Sequence, residues 1–266
     1  MELIEILGYI GALVVGLVLG LIGGGGSILT VPIMVYLIGL NPIVATAYSL
    51  FVVGITSVFG AFQNYRKGLV DVKTAIVFAI PAFIVVYLTR RFFVPIIPDV
   101  VFSINDFEVT NNIFIMIFFA IVMLFASYSM IVGRKNVSPT EKQDLKHNYP
   151  VIAFQATIIG VFSGIVGAGG GFLIIPTLVL LGNLPMKKAI GTSLFVIAVN
   201  SLFGFLGDLS NIDINWIFLL TFTGISIIGI LIGSYLSKFI TGKKLKKGFG
   251  YFTIVMAIYI VYRELF

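Results

Sequence analysis

The sequence has no cysteine, a single histidine and few charged residues. Without cysteine, disulfides, thiolate metal sites and thiol nucleophiles are excluded. Charged residues make up 11% of the chain and hydrophobic residues 59%, with a mean hydropathy of +1.13; a soluble domain has about 25% charged residues. His147 lies in a polar loop, where we expect a solvated side chain rather than a ligand. These features indicate an integral membrane protein, and we predict no metal site and no cofactor.

Apolar runs of ~20 residues, the length that a helix needs to cross a bilayer, recur along the chain. The first run, 3–22, is preceded by glutamate rather than by a basic segment and lacks a small-residue cleavage site, so we interpret it as a retained helix. The net charge is +6, but the Lys and Arg residues gather in short loops between apolar runs, as topology signals do. The pattern therefore predicts a lipid bilayer, and not nucleic acid, as a partner.

The chain contains an internal duplication. Residues 16–60 align without a gap with residues 160–204, at a shift of 144 positions. The identities include the pairs Gly23/Gly167, Gly25/Gly169, Gly26/Gly170, Pro32/Pro176, Ser49/Ser193 and Ser57/Ser201. Apolar sequences match one another by chance, but shared glycines, prolines and serines in register are hard to obtain that way.

Each repeat contains five hydrophobic pieces, and the second piece of each is short. The pieces span 3–22, 27–39, 42–65, 70–94 and 111–132, then 149–167, 171–182, 186–206, 214–237 and 248–265. A helix of ~12 residues covers only about 18 Å, too little to cross the bilayer, so the second piece should begin or end near the midplane. We predict an all-α integral membrane protein with about eight full transmembrane helices and two short broken or re-entrant half-helices.

Charged loops predict the orientation of the repeats. The basic loops at 66–73, 134–146, 187–188 and 238–247 are expected in the cytoplasm, and the acidic connections on the other side. Arg90 and Arg91 are an exception, placed at the outer end of their helix. Because each repeat has an odd number of pieces, the second should be inverted relative to the first. The predicted organisation is a first membrane repeat at 1–132, a cytoplasmic linker at 133–148 and a second membrane repeat at 149–266, together forming one transporter domain.

The glycine runs are predicted to interrupt helices at membrane depth. Non-helical backbone persists there only where protein buries it or where it lines a polar cavity. A short helix follows each run, and Ser27 is a candidate cap for the first. Helix N-termini carry free amides and partial positive charge, so two of them meeting at the midplane would bind a small anion. The predicted ligands are Gly24, Gly25, Gly26 and Ser27 in the first repeat and Gly169, Gly170 and Gly171 in the second. The alternative is that these glycines only let helices pack closely.

Polar residues recur at equivalent depths on the third piece of each repeat. Ser49 and Ser193 are our main candidates for anion-binding hydroxyls, joined by Thr192, Ser57 and Asn200. The alternative is hydrogen bonding between helices or back to the preceding turn.

Ionisable residues are nearly missing from the apolar runs. Asp208, which aligns with Asn64, is a weak candidate for coupling, and we expect it to be a water-facing loop residue. This scarcity favours uncoupled or potential-driven anion movement, and a potential that is negative inside drives an anion outward.

The segments "GLIGGGGSILTVPIM" and "GIVGAGGGFLIIPTLVLLGNLPMKKAIGTSLF" resemble the TauE/SafE sulfite-exporter-like permeases, within the 4-toluene sulfonate uptake permease family. The second repeat carries "AIGTSL" intact. The first has "ATAYSL", in which Ala47 and Tyr48 stand at the positions of Gly191 and Thr192. The resemblance covers essentially the whole chain. It implies a multi-pass transporter of a bacterial or archaeal inner membrane, acting on sulfite, sulfonates or sulfur-containing organic acids.

The leading hypothesis is an anion transporter that works by alternating access. An anion channel and a non-transporting membrane scaffold are the alternatives, and homo-oligomerisation is left open. An enzyme is not predicted, because no nucleophile and base pair lies in the apolar segments.

Overall fold

The computed structural model describes residues 3–104, 107–132, 149–180, 182, 184–237, 239 and 242–265. The predicted linker 133–148, which contains His147, lies outside these residues. The helices are α1 Leu3–Ile22, α2 Ser27–Pro32, α3 Pro42–Arg66, α4 Val72–Leu88, α5 Val94–Ile96, α6 Asn111–Val132, α7 Tyr149–Val166, α8 Gly171–Leu180, α9 Met186–Asp208, α10 Trp216–Leu236 and α11 Gly242–Leu265. Three further helical turns are the 3₁₀ turn Gly24–Gly26 and the π-helical turns Ile33–Leu37 and Thr89–Phe93.

Within the described residues, five helical spans are long and apolar enough to cross a membrane. They are Pro42–Arg66, Val72–Ile96, Asn111–Tyr128, Met186–Asp208 and Trp216–Leu236. Shorter apolar helices cover Ile6–Ile22, Gly24–Leu37 and Pro150–Val166. Large apolar side chains such as Phe125, Phe154 and Ile217 are exposed on the outside of the bundle, as lipid-facing residues are.

Polar residues begin several of the helices. Asn41 Oδ1 accepts a hydrogen bond from Ile43 N at the start of α3, where Pro42 is already suited to the first helical position. In the same way, Asp71 Oδ1 accepts from Thr74 N at the start of α4. These caps set where α3 and α4 begin.

The described chain is predominantly helical, which confirms the predicted all-α class, and one short β-hairpin follows α5. Strand β1, Val100–Ile104, pairs antiparallel with β2, Phe107–Thr110. The segment is rich in Val, Phe, Ile and Thr, which favour strands over helix in a short exposed connection. The hairpin joins α5 to α6.

The chain reverses direction at the first glycine run. Gly23 has φ +82°, and α2 then runs back along α1: Gly26 lies against Leu19, and further on Ile33 and Ile38 lie against Gly11 and Gly8. Pro32 is the last residue of α2, and the π-helical turn Ile33–Leu37 follows it directly.

The second glycine run forms an equivalent reversal. Gly167 has φ +70°, and Gly170, three residues later, lies against Ser163 and Ile159 of α7. These are the positions that the 144-residue shift pairs with Gly26, Leu19 and Val15. We call the two reversals, Gly23–Gly26 and Gly167–Gly170, the first and second hairpin tips.

Helices from one repeat pack mainly on helices from the other. Helix α1 contacts α10 and its counterpart α7 contacts α4, while α3 pairs with α9 and α6 with α11. Gly16 lies against the carbonyl of Ser226, and 144 positions later Gly160 lies against the carbonyl of Ala82. The same shift therefore relates contacts as well as residues.

Helices α3 and α9 run antiparallel at the centre of the bundle. Gly60 of α3 contacts Leu194 near the start of α9, whereas Leu50 near the start of α3 contacts Gly204 near the end of α9. The small glycine surface lets the two helices approach closely.

Candidate functional site

The two hairpin tips meet inside the protein. The backbones of Gly24 and Gly171 touch, and a Cβ on either residue would overlap the other. Gly23 lies against Ile190 of α9, and its counterpart Gly167 lies against Thr46, the residue of α3 that pairs with Ile190 under the 144-residue shift. Glycine is required here by both positive φ and close backbone approach.

The predicted glycine ligands are all buried: Gly24, Gly25 and Gly26 at the first tip, Gly169 and Gly170 at the second, and Gly171 at the start of α8. Of these, Gly24 and Gly171 form the contact between the two hairpins. Ser27 is also buried, but it does not cap α2 as expected. Its hydroxyl donates to the carbonyl oxygen of Gly24 (2.7 Å), because the Gly24–Gly26 turn places that carbonyl three residues back, within reach of the side chain.

Two of the candidate hydroxyls make hydrogen bonds within the protein. Ser193 donates to the carbonyl of Ile190 (2.8 Å), in the preceding turn of its own helix. Thr192 Oγ1 accepts from the amide of Asp71 (2.9 Å) and so fastens the start of α4 to α9. Ser49, the repeat partner of Ser193, is fully buried, and its hydroxyl has no partner among the described residues.

Four buried polar side chains on α3 and α9 have no hydrogen-bond partner among the described residues. They form two sequence pairs related by the 144-residue shift: Thr56 and Ser57 on α3, and Asn200 and Ser201 on α9. We call them the polar dyads. The Ser201 hydroxyl lies directly beside Gly169 of the second tip. A buried polar group without a partner costs roughly 1–3 kcal/mol, so such groups are candidates for contact with a polar ligand or water.

An ion pair lies beside the second tip, and the sequence interpretation of Asp208 was wrong: it is 3% exposed rather than water-facing. Arg90, in the turn directly after α4, is fully buried, which the sequence analysis did not predict. Arg90 Nη1 lies 3.2 Å from Asp208 Oδ2 and donates to Thr46 Oγ1 (3.0 Å). Arg90 lies on the π-helical turn Thr89–Phe93, which turns its side chain inward against Gly207 of α9.

The sequence carried no simple signal for the burial of Arg90. The 144-residue shift, continued beyond Gly204, pairs Arg90 with Ser234, which lies three residues before the end of the apolar piece 214–237. Both positions are thus near the end of their apolar pieces. The burial of Arg90 and Asp208 corrects the inference that ionisable groups are missing from the membrane core.

This region offers neutral hydroxyl and amide groups together with the Arg90–Asp208 ion pair, groups suited to recognising a polar ligand. Among the described residues, no group of three or more His, Cys, Asp or Glu side chains gathers as a metal site would require.

These features define a multi-pass α-helical membrane protein that encloses polar groups between two glycine hairpins. The chain belongs to the family described as "Sulfite exporter TauE/SafE", whose model matches residues 9–260. The predicted resemblance is thereby confirmed. The protein is accordingly a multi-pass membrane transporter and not an enzyme.

Several curated relatives carry the name "Probable membrane transporter protein". One from Xylella fastidiosa is 29% identical over 254 residues, covering 94% of this chain and 92% of the relative. YunE of Bacillus subtilis is 28% identical over 227 residues, 78% of this chain and 79% of its own. One from Haemophilus influenzae is 27% identical over 271 residues and covers 94% of both chains. No solved structure matches the chain.

Proposed function

We propose that this protein transports small anions, namely sulfite, sulfonates or related organosulfur acids, across a bacterial or archaeal inner membrane. The observation that carries the proposal is the pair of polar dyads, which are buried without hydrogen-bond partners among the described residues and one member of which, Ser201, lies beside the second glycine hairpin. Their hydroxyl and amide groups suit the oxygen atoms of an oxyanion, and donors of this type add no charge to the membrane core. The family's description as sulfite exporters supports the substrate class.

We further propose that the two membrane repeats, 1–132 and 149–266, form an inverted pair with eight crossing helices and two re-entrant half-helices. The antiparallel packing of α3 and α9, which are equivalent in the two repeats, supports the inversion. The exchanged contacts of α1 with α10 and of α7 with α4 support a two-fold relation. Transport then proceeds by rocking one set of helices against the other about the hairpin tips, as in other inverted-repeat carriers.

Within this site, the predicted residues have different roles. Ser57 and Asn200 contact the anion directly, together with Ser49 and the tip glycines. Ser193 and Thr192 keep the backbone around the site in place through their hydrogen bonds to Ile190 and Asp71. Ser27 acts through the Gly24 carbonyl, shaping the first tip.

Uptake of labelled sulfite into proteoliposomes under an imposed potential tests the transport proposal, with sulfate and short sulfonates as competitors. Saturable uptake that sulfonates inhibit is the expected result. Flux that never saturates and shows no exchange with substrate on the far side would instead indicate a channel. If folded protein transports none of these anions, the proposal is overturned, and the non-transporting scaffold becomes the remaining alternative.

Asn200→Ala tests the polar dyads. Losing one hydrogen bond to a charged ligand weakens binding by about 1.5–3 kcal/mol, so KM should rise by about tenfold to a hundredfold while the protein remains folded. Ser127→Ala is the matched control, since Ser127 is also fully buried but donates to Met123 within α6, away from the tips. A KM for Asn200→Ala equal to that of the control would remove Asn200 from the site.

Cysteine labelling tests the orientation, because the native chain has no cysteine. Gly68→Cys follows α3 in a basic loop, and Ser103→Cys lies on the exposed β-hairpin. Membrane-impermeant maleimide should label position 103 in intact cells and position 68 only after permeabilisation. Labelling of both from one side would contradict the proposed topology.

A further inference from the structure

We propose that Arg90 binds the charged group of the transported anion, and that Asp208 is a built-in counter-ion which holds Arg90 while the site is empty. This inference rests on the proposed function and adds to it the cationic ligand and the group with which the substrate competes. Both residues come from elements that meet at the second hairpin tip: Arg90 from the π-helical turn after α4, and Asp208 from the end of α9.

The hydrogen-bonding capacity of Arg90 is only partly used. Of its three nitrogens, Nη1 serves both Thr46 Oγ1 and Asp208 Oδ2. Nε and Nη2 have no hydrogen-bond partner among the described residues although the side chain is fully buried. An arginine binds carboxylate-like and sulfonate-like groups by two parallel N–H···O bonds, and the Nε and Nη2 edge is one of the two edges suited to that geometry.

The open edge is directed at the second tip. Arg90 Nη2 lies against Gly167, so closely that a Cβ on that glycine would meet it. Gly167 is two residues before Gly169, whose neighbour is the Ser201 hydroxyl of the polar dyads. The free guanidinium edge and the free hydroxyl thus border the same short stretch of backbone, Gly167–Gly169.

The ion pair is not required by the shared architecture. The 144-residue shift pairs Arg90, Asp208 and Thr46 with Ser234, Asn64 and Ile190, none of which carries a charge. The Asn64 side-chain amide donates a hydrogen bond to the Gly60 carbonyl in its own helix (2.8 Å). The same helix arrangement therefore forms around neutral side chains in the other half of the molecule, and a purely structural role does not account for the charges.

The contact with Asp208 is of a kind that a substrate could replace. It is an ion pair at 3.2 Å without hydrogen-bond geometry, since Oδ2 has no hydrogen-bond partner among the described residues. A single carboxylate neutralises Arg90 in the empty protein, which reduces the cost of burying the guanidinium. An incoming anion takes over that role and repels Asp208, so the two compete for Arg90.

Saturable uptake of labelled sulfite by four variants tests the inference, with methanesulfonate as competitor. Asp208→Asn removes the competing charge, so KM should fall about tenfold or more, as expected for like charges a few ångströms apart in protein. The double variant Arg90→Gln with Asp208→Asn leaves no buried charge and should fold, yet lose saturable uptake.

Arg90→Lys keeps the charge but not the two-bond edge, and should raise KM more than tenfold. Arg91→Gln, one residue away on the same turn, is the control and should leave KM unchanged.

The outcomes separate this inference from the proposed function. No saturable uptake by the unmodified protein overturns both. Saturable uptake by the unmodified protein with the same KM in the double variant, or in Arg90→Lys, overturns the role of Arg90 alone. An unchanged or higher KM in Asp208→Asn overturns the role of Asp208 as a competing counter-ion. Should the double variant fail to fold, the KM of Arg90→Lys against that of Arg91→Gln decides the role of Arg90.

Discussion

Replacing Gly167 by alanine combines two costs that the structure separates cleanly. Gly167 has φ +70°, a conformation that any residue with a Cβ adopts at a cost of about 1–2 kcal/mol. In addition, the new Cβ would overlap Thr46 and the Arg90 guanidinium. Thr46 presents its Cβ and its backbone carbonyl there rather than a flexible end, so the overlap cannot be relieved by a rotamer change.

Overpacking of this kind costs about 1–3 kcal/mol, so Gly167→Ala should destabilise the protein by about 2–5 kcal/mol in total. Gly68→Ala isolates the backbone cost, since Gly68 has φ +67° with no atom within 4 Å of the added Cβ, and should lose only about 1–2 kcal/mol. Gly224→Ala carries neither cost, because Gly224 lies in α10 without a positive φ and no atom lies within 4 Å of the added Cβ. This variant should not be less stable than the unmodified protein.

Thermal denaturation in detergent measures the order of stability of the three variants. The readout is the loss of monodisperse protein on size-exclusion chromatography. We expect Gly224→Ala to match the unmodified protein, Gly68→Ala to melt lower and Gly167→Ala lowest. Gly167→Ala should also lose anion uptake, whereas Gly68→Ala should keep it. Equal melting temperatures for Gly167→Ala and Gly68→Ala would refute the close approach at the second tip.

Three further substitutions probe contacts around the site. Thr192→Val deprives the Asp71 amide of its acceptor and should cost about 1 kcal/mol, read as a lower melting temperature. Tyr36→Phe removes the hydrogen bond from the Tyr36 hydroxyl to Glu264 Oε1 (2.7 Å), which ties the π-helical turn after α2 to α11, and should cost about as much. Gly233→Leu places a side chain against the backbone of α1 and should sharply reduce the yield of folded protein.

Each of these substitutions has a matched control in the same chain. Thr221→Val removes an exposed hydroxyl that bonds only within α10, and Tyr251→Phe removes an exposed phenol. Gly224→Leu enlarges a glycine of α10 that faces open space. A variant that behaves like its own control would contradict the corresponding contact.

The glycine reversals and the repeat were predictable from sequence because they depend on local chemistry. Gly23 and Gly167 mark backbone conformations that other residues avoid, and Gly16 with Gly160 preserves a close approach. Such positions leave a trace in one sequence when the fold is duplicated. The short helices after each reversal followed from counting residues against the thickness of a bilayer.

Hydrogen-bond partners were not predictable in this way. Ser193 and Ser49 are identical residues at equivalent positions, yet one bonds to its own helix and the other has no partner among the described residues. That difference depends on local side-chain rotamers, which periodicity does not report. The burial of Arg90 was missed for a related reason: it depends on Asp208, 118 positions away, and on a π-helical turn that has no simple sequence signature.

The exchange of partners between the repeats also determines when each contact can form during synthesis. Gly16 of α1 packs on Ser226 of α10, which the ribosome adds roughly 200 residues later; at about 5–20 residues per second the delay is about 10–40 s. Helix α7, by contrast, emerges when its partner α4 is already in the bilayer. Throughout that interval the glycine surface of α1 contacts lipid instead of α10. The apolar side chains of α1 must therefore keep the helix in the bilayer by themselves. Beyond Glu5, α1 contains no charged residue, which suits a helix that waits so long for its neighbour.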